Sequence, residues 1–338
     1  MTGTTGQDLR VEHVTDTIAR IALPLPFEDL HVVNAYAILG ASGVTLIDPG
    51  WSDPDSERLL LDALGSLGVG LGDVTRTLVT HAHPDHITLA VDWQRRHGIP
   101  LHLGAGERPS VVAFSPDRTR FPRQADLLDR AGDPVLAHEI RTMELASYER
   151  TMSWGEPEVW IGDGQVLDCD GEAVRVIATP GHTRGHVVFE HVDSRSLFTG
   201  DHLLPRITPS IGLELEPEHD ALSHYLQSLD LLLRLEDRTM LPAHGPVSPS
   251  VHARARELLI HHDERFGVVT GLVRVGLDTA ASVAAAMTWT RHGRSLHELS
   301  AVHRMTAVVE VLAHLDLLAE RGRIRRRSDG RVDRFAPA

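Results

Sequence analysis

The segment HAHPDH, residues 81–86, places four side chains that can bind metals close together: His81, His83, Asp85 and His86. An apolar segment, TRTLVT, comes directly before it and predicts a short buried strand. Imidazole and carboxylate groups together suit Zn, Fe, Co or Mn. Two such groups of ligands can hold two ions about 3.5 to 4 Å apart. The segment therefore predicts a metal site with room for two ions.

Three later segments can complete the ligand shell: TPGHTRGH, FTGDH and LPAHG. Each places a histidine or an aspartate directly after a strand-like pattern and beside a glycine. These residues are His182, His186, Asp201 and His244. Because α/β sheets bind ligands at the carboxyl ends of their strands, we expect these side chains to meet those of the first segment. Arg184 and His202 lie in the same segments, and the sequence leaves their roles open.

The other histidines and the single cysteine are better explained as surface or core residues. We assign no metal to His13, His31, His102, His138, His191, His224 and His261. With only one cysteine, Cys169, the chain can form neither an intrachain disulfide nor a thiolate-rich metal site. Any metal must therefore be held by imidazole and carboxylate groups.

HAHPDH, GHTRGH, GDH and PAHG follow one another in this order, and together they resemble the metallo-beta-lactamase superfamily of hydrolases. The resemblance implies an α/β fold, an αββα sandwich with the metals at one rim of its two sheets. It also implies how the ligands divide: His81, His83 and His182 for the first ion, Asp85, His86 and His244 for the second, and Asp201 as the bridge between them. Asp48 in LIDPG would support the site, and His186 would orient a neighbouring ligand through a hydrogen bond.

The ligand set implies a mechanism and a cofactor. We expect two divalent ions, Zn²⁺ in the first place with Fe or Mn as alternatives. Two ions lower the pKa of a shared water towards neutrality and polarise the scissile bond, so a metal-bound hydroxide would attack without a protein nucleophile. Asp85 is the expected catalytic residue, because it would handle the proton as the tetrahedral intermediate collapses.

The sequence gives less information about which bond is cleaved. A bridging Asp201 resembles the thioesterase, lactonase and phosphodiesterase branches, whereas the beta-lactamases of the superfamily generally lack it. Glyoxalase II-like enzymes share the ligands but commonly use lysines to bind glutathione, and all 33 basic residues here are arginine. We therefore predict hydrolysis of a small ester, thioester or lactone. A phosphodiesterase or endoribonuclease is the alternative, and a mononuclear iron sulfur dioxygenase is a further one.

Charge bears on the partners. The net charge of -14 disfavours polyanions in general. Residues 251–338 nevertheless hold 14 arginines against 10 acidic residues. Six of these arginines lie in the terminal segment RIRRRSDGRVDRF, and four of the six are clustered at its start: Arg323, Arg325, Arg326 and Arg327. A solvated charged terminus is the simpler explanation, so we expect a small-molecule substrate and do not favour nucleic acid. The oligomeric state is left open.

The elements that must position these residues can also be predicted. Strand-like runs fill residues 11–49, and SERLLLDALGSLG predicts a helix before the strand TRTLVT. Residues 107–154 predict a helical insertion near the active site, with two helices in QADLLDRAG and LAHEIRTMELASYERTMSW. Strand patterns from Val159 to Gly200 predict a second sheet, and the helix HDALSHYLQSLDLLLRL precedes the last strand, TMLPAHG.

Substrate contacts are expected near that insertion, although its apolar stripe is more simply explained as core. The stripe comprises Met143, Leu145, Tyr148, Met152 and Trp154. The candidates for substrate binding are Arg184, Tyr148, Trp154 and Arg206.

Two domains are expected in a chain of 338 residues. Residues 11–250 would form the catalytic domain, and residues 251–338 a smaller, mostly helical domain with a terminal hairpin around Ser328-Asp329-Gly330. This order is similar to lactamase-beta-like hydrolases with a C-terminal winged-helix-like domain. The N-terminus lacks the pattern of a signal peptide and the chain lacks a long apolar run, so we expect a cytoplasmic protein. The absence of lysine suggests a bacterial source with a GC-rich genome.

Overall fold

The computed structural model describes residues 11–25, 30–116, 119–289, 293–328 and 330–338. The first of its two large sheets has seven strands. In spatial order its strands are β1 (Val11–His13), β2 (Ile18–Pro24), β3 (Val32–Leu39), β4 (Val44–Ile47), β5 (Val74–Val79), β6 (Leu101–Gly104) and β7 (Val159–Ile161). The strands from β1 to β4 pair antiparallel, whereas those from β4 to β7 run parallel.

A five-stranded sheet lies against the first. Its strands are β8 (Val166–Cys169), β9 (Glu172–Ala178), β10 (Val187–His191), β11 (Ser196–Gly200) and β12 (Thr239–Pro242), and they lie side by side in that order. Neighbours from β8 to β11 are antiparallel, and β12 is parallel to β11. Apolar side chains of both sheets, such as Ile38 and Phe189, form one buried cluster between them.

One strand departs from the expectation. The strand patterns from Val159 to Gly200 predicted a single second sheet, but this is wrong for β7, which pairs in parallel with β6 as the edge of the first sheet. A parallel pair needs a crossover of a dozen or more residues. The helices between β6 and β7 lie in that crossover.

Helices cover the outer face of each sheet and complete an αββα sandwich, as the sequence predicted. On the first sheet lie α1 (Pro54–Ser66) and α2 (Pro84–His97), whose Leu60 and Trp93 are buried against strand residues such as Leu46. The following helices are α3 (Arg108–Ala113), α4 (Pro122–Ala131), α5 (Pro134–Arg141), α6 (Ser147–Thr151) and α7 (Ala221–Arg234).

The insertion contains four short helices instead of the two expected. The predicted second helix is broken after α5, because Glu144 forms an isolated β-bridge with Thr119. A new helix, α6, then starts where the Glu149 carboxylate accepts a hydrogen bond from the backbone N–H of Ala146. The bridge from Glu144 to Thr119 joins residues that are far apart in sequence, so helical periodicity alone could not predict the break.

The C-terminal region is mostly helical. It comprises α8 (Val251–Arg274), α9 (Ala280–Ala286), β13 (Thr288–Trp289), β14 (Arg294–Ser295), α10 (Ala301–Glu320), β15 (Ile324–Ser328) and β16 (Asp333–Pro337). The last two strands form the expected antiparallel hairpin. Asp329, in its predicted turn, lies outside the described residues.

One apolar core joins this region to the sandwich. Leu128 of α4, Leu229 of α7, Phe266 of α8 and Leu315 of α10 all belong to the same buried cluster as Met240 of the second sheet. A boundary at residue 250 and a winged-helix-like description of residues 251–338 stay predictions. Within the described residues, no helix is both long and apolar enough to cross a membrane.

Candidate metal centre

The residues of HAHPDH lie where β5 ends and α2 begins. His83 is the N-cap residue of α2, Pro84 occupies its first turn, and Asp85 and His86 follow within that turn. Proline is favoured at this position because its fixed φ suits a helix start and its missing N–H has no helical partner. The strand and the helix together fix the four side chains of this segment.

The other candidate ligands follow three strands of the second sheet. His182 comes after β9, Asp201 directly after β11, and His244 after β12. At Gly200 the chain turns with φ +50°, and a Cβ atom there would lie 2.7 Å from Nε2 of His186. Only glycine fits so close an approach, which explains the glycine beside Asp201.

Two groups of potential ligands form where these segments meet. The first contains His81, His83, His182 and Asp201, and the second contains Asp85, His86 and His244. Within each group the potential ligand atoms lie within 4.8 Å of one another. The structure thus brings together all seven residues that the motifs singled out.

The first group is built around Nδ1 of His83. Nε2 of His81 lies 2.9 Å from this atom, and Nε2 of His182 lies 3.1 Å from it. Oδ2 of Asp201 lies 3.7 Å from Nε2 of His182. Three imidazole nitrogens and one carboxylate oxygen therefore converge on a small volume.

The second group has more negative charge around it. Oδ2 of Asp85 lies 3.4 Å from Nε2 of His244 and 3.6 Å from Nε2 of His86. The other oxygen of Asp201, Oδ1, lies 3.3 Å from Nε2 of His244 and 3.8 Å from Nε2 of His86. Asp201 thus lies between the groups, with one carboxylate oxygen towards each.

Hydrogen bonds hold several rings with Nε2 towards the centre. Nδ1 of His182 donates to the backbone oxygen of Ser210 at 2.8 Å, and Nδ1 of His244 donates to that of Val32 at 2.7 Å. A carbonyl oxygen can only accept, so each Nδ1 carries the proton and each Nε2 keeps its lone pair. This is the tautomer that a metal ligand requires.

Asp48 contacts a candidate ligand of each group, either directly or through Thr80. Its carboxylate accepts hydrogen bonds from the backbone N–H and the hydroxyl of Thr80, both at 2.8 Å. The Thr80 hydroxyl in turn lies 3.0 Å from Nδ1 of His81, and Oδ2 of Asp48 lies 3.0 Å from Nδ1 of His86. One buried carboxylate thereby orients both imidazoles.

His186 is placed beside the centre instead of in it. Its ring is fully buried and stacks on that of His81, with the ring centroids 5.1 Å apart. Its Nδ1 lies 2.9 Å from the hydroxyl of Thr179. Its Nε2 has no hydrogen-bond partner among the described residues. The ring therefore contacts His81 by stacking, and the predicted hydrogen bond to a neighbouring ligand stays a prediction.

Electrostatics differ between the two groups. Burial lowers the pKa of His83 to about 3 and that of His182 to about 4, so both rings are neutral at pH 7. Burial alone would also lower the pKa of His86, but three surrounding aspartates, Asp85 foremost, raise it to about 10. The second group therefore favours a positive charge at its centre.

The residues present fit a bound metal pair. Several buried atoms that face one another have no hydrogen-bond partner among the described residues, including Oδ1 of Asp201 and Nε2 of both His86 and His244. Leaving such atoms unpaired costs about 1–3 kcal/mol each, and cations bound between them would satisfy them all. Imidazole and carboxylate ligands suit divalent transition metals.

A cavity of about 630 Å³ opens over the centre. His83, Asp85, His182, Asp201 and His244 form part of its wall. Most of the remaining wall is apolar, with aromatic side chains from several elements: Trp51, Phe114, Phe121, Trp154 and Trp289. The metal centre therefore lies at the surface of a largely apolar pocket.

Of the four predicted substrate contacts, one lines this cavity. Trp154 lies in the wall, whereas Tyr148 packs edge-on against Trp51 with the ring centroids 5.5 Å apart. Arg184 lies beside the cavity, and its guanidinium donates to the backbone oxygen of Glu216. Arg206 and Arg184 are not among the lining residues, so the described structure lends their assignment no support.

Sequence reasoning missed two parts of the wall. Glu107 and Glu214 are buried carboxyls in it, and burial raises their pKa values to about 8 and about 7. The second part is one face of α10, which includes Val302 and Thr306. The apolar stripe of α10 indicated only a core helix. The spacing of four between these two residues places them on one face of the helix but gives no signal for a cavity.

Known proteins resemble this chain in sequence. The profile of the Metallo-beta-lactamase superfamily matches residues 29–244. A probable metallo-hydrolase, YqjP of Bacillus subtilis, is 27% identical over 71% of this chain and 75% of its own length. The lactamase-like protein nscB of Aspergillus fumigatus is 25% identical over 72% of this chain, which spans 58% of that relative. The atrochrysone carboxyl ACP thioesterase nsrC of Aspergillus novofumigatus is 24% identical over 72% of this chain and 59% of its own length.

Solved structures resemble the whole chain. A metallo-beta-lactamase family protein from Thermus thermophilus has a TM-score of 0.79 and 27% identity, covering 96% of this chain and 100% of its own. A beta-lactamase domain protein from Burkholderia ambifaria has a TM-score of 0.78 and 28% identity, covering 99% and 95%. With its profile match, its fold and its two ligand groups, this chain belongs to the metallo-beta-lactamase superfamily.

Proposed function

We propose that this protein is a binuclear hydrolase that cleaves an ester, a thioester or a lactone. The observation that carries the proposal is the position of Asp201, whose two carboxylate oxygens face different ligand groups. A carboxylate in that position is suited to bridge two ions. In this proposal the first ion is held by His81, His83 and His182, and the second by Asp85, His86 and His244.

When bound, such a pair of ions acidifies a water molecule and polarises the bond to be cleaved. Zn²⁺ is the ion we propose first, with Fe or Mn as alternatives, because all three accept imidazole and carboxylate ligands. The ligands need no deprotonation at pH 7 in the first group, since burial keeps the pKa values of His83 and His182 well below neutrality.

Asp85 is the proposed catalytic residue. It lies in the wall of the cavity, so its carboxylate is accessible to a substrate. Burial would raise its pKa, but His86 and His244 outweigh burial and hold the pKa of Asp85 below its usual range. An ionised carboxylate at this place can accept the proton of an attacking water and return it to the leaving group.

The pocket supports an acyl substrate more than a nucleic acid. Its wall is largely apolar, and its buried carboxyls Glu107 and Glu214 would not attract a polyanion. The guanidinium of Arg326 in the terminal hairpin already lies 3.3 Å from Asp316. Among the relatives, nsrC carries the name of a thioesterase. Nuclease activity normally needs a positively charged track to the active site.

The test combines metal analysis with a substrate panel. We expect about two metal ions per chain by mass spectrometry and turnover of acyl-CoA thioesters, aryl esters or lactones. The variant Asp85→Ala should lose turnover of each substrate. Asp62→Ala, which removes an exposed carboxylate from α1, is the matched control and should match the native protein in both measurements.

Other outcomes would redirect the assignment. Cleavage of a short RNA or of bis-p-nitrophenyl phosphate, without turnover of any acyl substrate, would overturn the acyl-hydrolase proposal in favour of a phosphodiesterase. One iron per chain with oxygen uptake on a persulfide would instead favour the sulfur dioxygenase alternative. A native protein that binds no divalent metal would contradict the binuclear proposal altogether.

A further inference from the structure

One face of α10 forms part of the cavity wall. Its lining residues are Val302, His303, Thr306, Ala307 and Glu310. Their spacing brings them onto a single face of the helix, since residues three or four positions apart are neighbours there. At a rise of 1.5 Å per residue, the face runs along the cavity for about 12 Å. The cavity is therefore long compared with an acetyl group.

This face is held rigidly. Met305, Val308, Leu312 and Leu315, on the remainder of the helix, are buried in the large apolar core. Trp289, which lies beside α10 in the wall, donates a hydrogen bond from Nε1 to the backbone oxygen of Ala284. Because the supporting core is close-packed, α10 cannot easily move away from the cavity when a larger side chain is introduced on its lining face.

The same helix is tied to the metal centre through the loop that follows β11. Ser210 of this loop accepts the hydrogen bond that orients His182. Two residues on, Gly212 turns with φ +84°, and a Cβ atom there would lie 2.8 Å from Cγ1 of Val309 on α10. Gln124 of α4 donates to the backbone oxygen of Gly212 at 3.0 Å. These contacts fix the position of α10 relative to the proposed metal centre.

The side chains at the middle of the face are small. Thr306 and Ala307 occupy adjacent positions there, and the only carboxyl among the five lining residues of the face, Glu310, lies one turn further along. Burial raises the pKa of Glu310 above its ordinary value, which reduces the charge it presents. A cavity of about 630 Å³ falls in the range of about 300–1,000 Å³ that accommodates drug-sized ligands.

We propose that the face of α10 formed by Val302, Thr306 and Ala307 determines which acyl groups the enzyme accepts, and that its substrate carries a large apolar acyl group. This inference rests on the proposed function. It places substrate selection in the C-terminal region and bond cleavage in the sandwich. Residues 251–338 would then contribute directly to the active site.

The experiment compares acetyl-, hexanoyl- and decanoyl-CoA as substrates. The native protein should have its highest kcat/KM with decanoyl-CoA. Thr306→Phe fills part of the cavity. The ratio of kcat/KM for decanoyl-CoA to kcat/KM for acetyl-CoA should therefore fall about tenfold or more. A single extra or missing methylene group in an apolar pocket changes kcat/KM by at least about this factor. Ile260→Phe adds a similar ring on the exposed side of α8, where Ile260 is 59% exposed, and should leave the ratio unchanged.

A binding measurement separates this inference from the proposed function. Trp154 and Trp289 line the cavity, so decanoic acid should quench tryptophan fluorescence in the native protein and do so more weakly in Thr306→Phe. Val302→Phe, one turn away on the same face, replaces Thr306→Phe if that variant does not fold. Equal ratios and equal quenching in native and filled variants would overturn the role of α10. Normal quenching without turnover of any acyl substrate would instead overturn the proposed function and leave the pocket assignment standing.

Discussion

Two clusters of buried histidines lie in this protein, and they differ in the groups around them. The metal-centre cluster comprises His81, His83, His86, His182 and His244. The interior cluster comprises His202, His262 and His314, which are at most 2% exposed. In the interior cluster Nδ1 of His262 lies 3.1 Å from Nε2 of His314, and Nδ1 of His314 donates to the backbone oxygen of Glu310. The interior pair therefore satisfies part of its own hydrogen-bonding capacity.

The carboxylates make the difference. Asp85 and Asp201 lie among the rings of the metal-centre cluster, whereas the described residues include no ion pair between a carboxylate and a ring of the interior cluster. Burial lowers the pKa of His262 to about 2 and that of His314 to about 4, while the aspartates raise that of His86 to about 10. Buried histidines alone do not form a metal site; convergent lone pairs and negative charge are also needed.

The largest expected effect comes from the same substitution made in each cluster. His244→Phe removes a proposed ligand, so it should lower metal content and reduce hydrolysis by more than the roughly 100-fold that loss of a supporting hydrogen bond can cost. His262→Phe should leave the metal content at the native level. Metal analysis by mass spectrometry and kcat/KM measure both effects. Equal metal loss in the two variants would contradict the distinction between the clusters.

A smaller effect is expected at Asp48, which orients His81 and His86 without being a proposed ligand. Asp48→Asn keeps a residue type that tolerates the positive φ of 48° but weakens acceptance from two donors, so metal affinity should fall about 10–100-fold. Competition with a chelator measures this. Asp170→Asn is the matched control, because Asp170 also has a positive φ, of 58°, and accepts from Thr75 outside the centre. Unchanged affinity in Asp48→Asn would exclude the supporting role.

Much of this centre could be predicted from the sequence because its ligands come in short local motifs. His81 to His86 are adjacent in the chain, and His182, Asp201 and His244 each follow a strand whose pattern is recognisable. The αββα sandwich was implied by the family resemblance that these motifs carry. The ligand set and the fold class are therefore properties that short stretches of sequence carry.

The parts that could not be predicted depend on contacts between distant segments. The place of β7 in the first sheet depends on its pairing with β6 across the helical insertion. The break between α5 and α6 depends on the bridge from Glu144 to Thr119. Likewise, Val302 and Thr306 line the cavity only because α10 packs against α4 and the loop after β11. Periodicity predicts that a helix exists but not which cavity its second face meets.

The interior cluster should make stability depend on pH. In the unfolded chain histidine has a pKa of about 6.5, whereas the folded values are about 2 for His262 and about 4 for His314. Stability from neutral burial is thus fully present above pH 6.5 and is lost as pH falls towards the folded values. His262→Phe removes one such group. The unfolding free energy of the variant minus that of the native protein should therefore rise by about 2 kcal/mol from pH 8 to pH 5.

Urea unfolding at pH 5, 6.5 and 8 measures this difference, and the titration of groups that do not contact His262 cancels between the two proteins. At pH 8 the variant should be the less stable one by about 1 kcal/mol, because His314 loses a hydrogen-bond partner. Ile260→Phe, which adds a ring at an exposed position of α8 without removing a titratable group, should show no such dependence on pH. A stability difference for His262→Phe that is the same at all three pH values would contradict neutral burial.

The smallest effect is expected at His202, whose role the sequence left open although it directly follows Asp201. Both of its ring nitrogens are buried without a hydrogen-bond partner among the described residues, and its ring packs on Tyr225 with the centroids 5.0 Å apart. Burial lowers its pKa to about 3, so the ring is neutral. A neutral ring without partners acts as an apolar filler, so His202→Phe should retain the native metal content and nearly native kcat/KM. His186→Phe, which loses the contact with Thr179 beside His81, should weaken metal binding in the same chelator competition. Metal loss in His202→Phe would place His202 in the metal-centre cluster.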